Sequence, residues 1–229
     1  MMRGLVVVVV LAISGQAAAD RPGPTAKDLL DWIDARSSAI KSLETEHVTE
    51  IEVSDATVKS ITRIVVVAQI ARKNGTWRMR REITQKTNQA CRGPKCTFPL
   101  MPPDKTSIEI GDSKNVIEYV EGEAPKQHAT TLEPANPMTL AASIRKNAAQ
   151  AWAVLERLPD TRSRGRKVHV LVLTDRKIRA EYHIATDTGL LVKATLVAGG
   201  GPQKLETTLV TRRAEVDKAV PDRTFDPPK

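Results

Sequence analysis

The chain has 229 residues, a formal net charge of +8 and 41% hydrophobic residues. That is enough for a sizeable core in one domain or a large β domain. No stretch after the first twenty residues is apolar for long enough to cross a membrane as a helix, which excludes an integral membrane protein of that kind.

The first residues, MMRGLVVVVVLAISGQAAAD, carry Arg3, the apolar run Leu5 to Ile13, and small residues ending at Ala17-Ala18-Ala19. This is the pattern of a secretory signal peptide over residues 1–19. The run is too short for a mature transmembrane helix, and no cysteine follows it to accept a lipid anchor. The expected mature protein is exported and soluble, beginning near Asp20, with residues 20–229 as a single domain. With a pI near 9.6, an intracellular chain would raise nucleic acid as a partner, and export argues against it. Outside the cytoplasm the surplus fits anionic lipid headgroups, an acidic partner or a dispersed solvated charge.

The segment PTAKDLLDWIDARSSAIKSL reads as a helix. Thr25 can cap it with Asp28 three residues on, and Leu29, Trp32, Ile33, Ile40 and Leu43 fall on or near one stripe. HVTEIEV follows as a strand. Next comes IVVVAQIARKNGTWRMRREI, in which Asn74-Gly75 is a strong signal for a two-residue type I′ hairpin turn. Counting outward, Lys73 faces Thr76, Arg72 faces Trp77, Ile70 faces Met79, Ala68 faces Arg81 and Val66 faces Ile83. One face therefore carries Ile64, Val66, Ala68, Ile70, Arg72, Trp77, Met79, Arg81 and Ile83. The other, with Lys73, Thr76, Arg78 and Arg80, reads as solvated toward the turn. The first face is either an ordinary sheet core with arginines snorkelling at its rim, or a greasy site with an arginine lip.

The passage from Thr87 to Pro103 is irregular and holds ACRGPKCTF, where an oxidising compartment favours a Cys91–Cys96 disulfide across Gly93-Pro94. A metal site would want further ligands close by, and none is near. TSIEI and NVIEYVEGE form a second hairpin about Gly111-Asp112-Ser113, and the segment around Gln127 to Thr131 reads as an edge strand. A second helix is expected over NPMTLAASIRKNAAQAWAVLERL. Asn136 caps it, Pro137 sits at its first turn, Leu140, Ile144, Ala148, Ala151, Trp152 and Leu155 form the stripe, and Pro159 ends it. KVHVLVLTD, KIRAEYHIA, LLVKATLVA and KLETTLVTR then read as a meander, followed by the tail EVDKAVPDRTFDPPK. Roughly nine or more antiparallel strands rarely stay flat. The expected fold is mainly β (α+β): a curved antiparallel sheet forming an open, incomplete barrel, with the helices covering its concave face.

Catalytic chemistry finds little support. His47, His128, His169 and His183 are scattered on strand patterns without metal-ligand spacing. Nucleophile-elbow, zincin and phosphate-loop motifs are absent from the sequence, and no carboxylate pair is predictably placed in one pocket. A non-enzymatic protein without cofactor or metal is expected.

With these elements in order, the chain resembles the periplasmic outer-membrane lipoprotein carrier family, the LolA-like proteins. The resemblance rests on the exported N-terminus, IKSLETEHVTEIEV after the first helix, the strand-end arginine of IARKNGTWRM, the GDSKNVIEYVEGE hairpin, DTGLLVKATLV, and the ending VPDRTFDPPK. It implies a periplasmic location and an open barrel whose concave apolar face, under helices, holds acyl chains. Arg72 then corresponds to a cavity arginine that gates the lid, and Trp77 and Met79 to wall residues. The implied cavity comprises Ile64, Val66, Ile70, Arg72, Trp77, Met79 and Ile83 from the hairpin, with Ile144 and Trp152 from the second helix. Implied partners are lipoprotein acyl chains, phospholipid or fatty acid, and membrane-bound donor and acceptor proteins. The family's tryptophan in the second hairpin is replaced here by Ile117. The alternative is an envelope-stress sensor or protein-interaction domain on the same fold.

Overall fold

Thr25 and Asp28 close a capping box at the start of helix α1 (Ala26–Ala39): the Thr25 hydroxyl accepts from the Asp28 amide at 3.2 Å, and the Asp28 carboxylate accepts from the Thr25 amide at 2.8 Å. The computed structural model describes residues 24–55, 58–73, 76–91, 104–112, 114–129, 139–199 and 203–228. The expected signal peptide, the Asn74-Gly75 turn, the Asn136-Pro137 helix start and the Cys91–Cys96 bridge lie outside the described residues. Of Cys91 only the backbone, at the end of a strand, is described.

Among the described residues, eleven strands form one antiparallel sheet. In chain order they are β1 (Ser42–Ser54), β2 (Val58–Lys73), β3 (Thr76–Cys91), β4 (Lys105–Asp112), β5 (Asn115–Val120), β6 (Lys126–Ala129), β7 (Val154–Ser163), β8 (Arg166–Asp175), β9 (Ile178–Ala185), β10 (Leu191–Gly199) and β11 (Lys204–Val216). The spatial order is β6-β5-β4-β3-β2-β1-β11-β10-β9-β8-β7, so among the described residues β6 and β7 are the edges and the sheet does not close. Neighbours in sequence pair as hairpins in each half, and β1 against β11 joins the two halves. This is the open, mainly β architecture expected from the sequence.

Helix α2 (Leu140–Ala148) lies beside α1, and both pack on one face of the C-terminal half. Ile33 and Ile144 are fully buried there among Leu140, Leu171, Tyr182 and Ile184. Each such side chain contributes about 1.5–3 kcal/mol by leaving water. Arg145 of α2 reaches Asp31 at 2.7 Å and also Asp34, joining the two helices through exposed charges whose contribution is small.

The second helix is much shorter than its sequence suggests. It ends at Ala148, the chain turns through residues 149–153, and Leu155, Leu158 and Pro159 belong to strand β7. Leu155 still meets the helix cluster, but from the sheet side. Pro159 ends no helix. It falls in the irregularity between Leu158 and Thr161 on an edge strand, where a missing amide hydrogen breaks no ladder bond.

The tail is ordered against the back of β3. Phe225, in a 3-10 turn over Asp222–Phe225, is buried, with the Arg78 guanidinium 4.8 Å from its ring centroid. Lys73 reaches Asp222 at 2.7 Å, and Arg80 donates to the Thr224 carbonyl at 3.5 Å. The basic face that reads as solvated toward the turn is thus partly covered: Arg78 and Arg80 are half-buried, while Lys73 and Thr76 beside the turn are exposed.

Candidate lipid-binding face

The hairpin register is as counted from its turn: Arg72 faces Trp77, Ile70 faces Met79, Ala68 faces Arg81 and Val66 faces Ile83. Strand β1 extends the same face, with Leu43, Thr45, His47 and Thr49 opposite Ile70, Ala68, Val66 and Ile64. Beyond it β11 adds Val216, Ala214, Thr211 and Leu209. This inner face also carries the helices on the C-terminal half, because Leu209, Leu191, Tyr182 and Leu171 all belong to the helix cluster.

Two zones differ along the face. At the end nearest the β2–β3 connection, Ile70 and Met79 are buried with Ile40, Leu43, Val116 and Leu190, and Trp77 packs against them. Arg72 lies 5.7 Å over the Trp77 ring, and its Nη1 donates to the Ser38 carbonyl at 3.0 Å. The arginine therefore fastens the last turn of α1 to the sheet. Toward the other end, Ile64, Val66 and Ile83 are only half-buried, as are Ile51, Val53, Leu196 and Leu205 on neighbouring strands.

The predicted residues are thus split. Ile64, Val66 and Ile83 line the open zone, whereas Ile70, Met79 and Trp77 build the closed end and Ile144 sits in the helix core. Trp152 joins neither group. It is 69% exposed in the turn before β7, because the helix stops before reaching it.

Polar residues on this face are the feature that apolar periodicity misses. The Arg81 Nε donates to the Glu109 carboxylate at 2.8 Å, and both side chains are nearly buried. Thr62 and Thr87 share a hydrogen bond at 3.2 Å. Lys105 reaches Glu118 at 2.5 Å, and this bond holds the Glu118 carboxyl below its ordinary value. Counting the second hairpin outward from its turn would have placed Glu109 and Glu118 in register with each other, as found.

His47 stands at the middle of the face, buried. Thr211 Oγ1 donates to the Leu191 carbonyl at 2.5 Å, so it must accept from His47 Nδ1–H, 3.1 Å away. The Nε2 lone pair is then left buried without a partner. Burial pushes the imidazole down to about 4 from 6.5. The folded state resists protonation that the unfolded chain accepts, so stability should be full above pH 6.5 and fall as pH drops toward 4. Between pH 6.5 and about 5 the expected loss is roughly 2 kcal/mol, read from urea midpoints. In His47→Gln that slope should flatten; an unchanged slope would assign the acid sensitivity to other groups.

A cleft of about 210 Å³ lies at the β1–β11 irregularity, lined by Arg164, Arg166, Arg212 and Arg213 around Leu190, Leu191 and Val192, with Thr211 and Ala214. It takes in none of the predicted cavity residues. Among the described residues no group of three His, Cys, Asp or Glu side chains is placed to hold a metal ion, and no helix is long and apolar enough to cross a membrane.

No family model matches the chain, and no curated protein matches it. Solved structures do. A DUF1329 family protein from Desulfovibrio piger is 11% identical with a TM-score of 0.38, over 88% of this chain and 95% of that one. LprF from Mycobacterium bovis is 11% identical with a TM-score of 0.42, over 86% and 94%. A LolA superfamily protein from Nitrosomonas europaea is 11% identical with a TM-score of 0.36, over 89% and 98%.

Proposed function

We propose that the protein is a periplasmic carrier that holds acyl chains of a lipoprotein or other lipid, noncovalently, on the inner face of its open sheet. One observation carries this reading: on a face whose closed end is fully packed, Ile64, Val66 and Ile83 remain half-exposed beside Ile51, Val53 and Leu205. These apolar residues, interleaved with Thr49, Thr62 and Gln85, are left uncovered by the protein's own helices, and an acyl chain would cover them. Each methylene removed from water contributes about 0.8 kcal/mol, so a chain burying about fifteen of them gains about 12 kcal/mol and, after an association cost of about 4 kcal/mol, would bind at micromolar levels. Arg72 supports a movable lid, because its exposed bond to Ser38 is a single hydrogen bond worth about 1 kcal/mol. Loosening that bond would free the last turn of α1 at the closed end, while Leu29, Leu30 and Ile33 keep the rest of the helix seated on β8 to β10.

The test contrasts adjacent residues on opposite faces. Val66→Asp should weaken binding of a fluorescent fatty-acid probe on the order of tenfold, because a carboxylate would be desolvated under the chain. Val67→Asp, on the other face and already 39% exposed in the wild type, should leave binding unchanged. Equal affinities in two folded variants would show that this strip holds no acyl chain.

A further inference from the structure

We propose that the strand ends bearing Trp152 and Arg176 form a docking corner by which the protein rests on an anionic phospholipid bilayer. Trp152 occupies the third position of a turn in which the Ala153 amide donates to the Gln150 carbonyl at 3.1 Å. Its φ is +75°, a conformation in which glycine is at ease and a bulky side chain is strained. The chain bears that strain to display an indole that is 69% exposed. The Arg176 guanidinium lies 4.1 Å from the ring centroid, so one exposed unit presents an amphipathic ring and a cation together.

The surroundings extend the same chemistry. Val154 pairs with Thr174 and Ile178 with Asp175, so both lie at this end of the sheet, 54% and 39% exposed. Lys177 and Arg179 are exposed beside them. Of the nearby carboxylates, Asp175 accepts from the Arg176 backbone amide at 2.5 Å, and Glu181 is shared by Arg179 at 3.5 Å and His183 at 2.6 Å. The Arg176 and Lys177 side chains keep no carboxylate partner among the described residues, which leaves two cations for lipid phosphates. Tryptophan settles at the level of headgroups, where its ring is buried and its N–H stays wet, and each basic residue adds attraction to an anionic surface. Ile178 also pairs with Ala198 and alternates with Ala180 and Tyr182 on the inner face, so the corner runs into the open apolar zone. A bilayer held here would face the end of the strip at which an acyl chain enters or leaves. The inference rests on the carrier reading only for what is exchanged.

Sedimentation with vesicles tests it, using the exported protein. The wild type should partition onto vesicles of phosphatidylglycerol and phosphatidylethanolamine, and much less onto phosphatidylcholine. Trp152→Gly removes the ring while supplying the residue that the turn prefers, so the variant should fold at least as stably and partition on the order of tenfold more weakly. Arg176→Glu should lose at least about fivefold, the factor for one basic residue at an anionic surface. Both variants should keep wild-type affinity for the fatty-acid probe in solution, which separates a failed docking corner from a failed carrier. Unchanged partition of folded Trp152→Gly, equal wild-type partition on anionic and neutral vesicles, or capture of a protein partner with no vesicle partition would each overturn the proposal.

Discussion

Ile33→Ala is expected to cost about 3–4 kcal/mol of folding stability, because the side chain is wholly buried between the two helices and the sheet. Ile144 and Leu140 meet it from α2, and Leu171 and Tyr182 belong to the same cluster from β8 and β9. Truncation removes three carbons and leaves a cavity that neighbours on rigid strands cannot collapse into. Asp31→Ala, on the exposed side of the same helix, removes an ion pair with Arg145 and should cost less than about 1 kcal/mol. Urea denaturation of the two variants checks the contrast. A cost for Ile33→Ala as small as that for Asp31→Ala would mean that α1 is not seated on the sheet.

Gly111→Ala is expected to be comparably damaging for a different reason. A methyl group at Gly111 would lie 2.1 Å from the Asn115 carbonyl oxygen and 2.8 Å from the Val116 Cα. Both obstacles are backbone, and Val116 is fully buried as the partner of Gly111 across the β4–β5 hairpin. The hairpin must therefore open, at a cost of roughly 3 kcal/mol or more. Gly122→Ala is the control: its φ of +77° strains any side chain, but nothing lies within 4 Å, so the cost should stay near 1 kcal/mol. Equal melting temperatures for the two variants would exclude the close approach at Gly111.

Much of the inner face is legible in the sequence. Asn74-Gly75 sets the register of the longest hairpin, and a period of two then assigns every residue from Ile64 to Ile83 to a face. Thr25 and Asp28 mark the start of α1 by a local bond that needs no other element. The second helix fails as a reading because an alanine-rich run with apolar residues at helical spacing also suits a helix that stops early. Its continuation, VLERLPDTRS, becomes an edge strand through hydrogen bonds to β8, and those depend on residues distant in the chain. Trp152 moves from an imagined stripe to an exposed turn for that reason alone.

The roles of the charged residues divide in the same way. The count from the turn places Arg72 and Arg81 on the apolar face, but not what they meet: Arg72 meets a helix carbonyl from residue 38, and Arg81 a carboxylate from β4. Likewise Arg78 and Arg80 read as solvated until the tail returns Thr224 and Phe225 to them.

By itself the sequence determined strand alternation, the hairpin register, the cap of α1 and the mainly β class, because each follows from steric and hydrogen-bonding preferences acting over a few residues. Only the tertiary structure decided where the apolar face is closed and where it stays open. That division depends on which half of an unclosed sheet the two short helices cover. Their seat on β8 to β11 is set by the fit of Ile33 and Ile144 among side chains contributed by strands far along the chain.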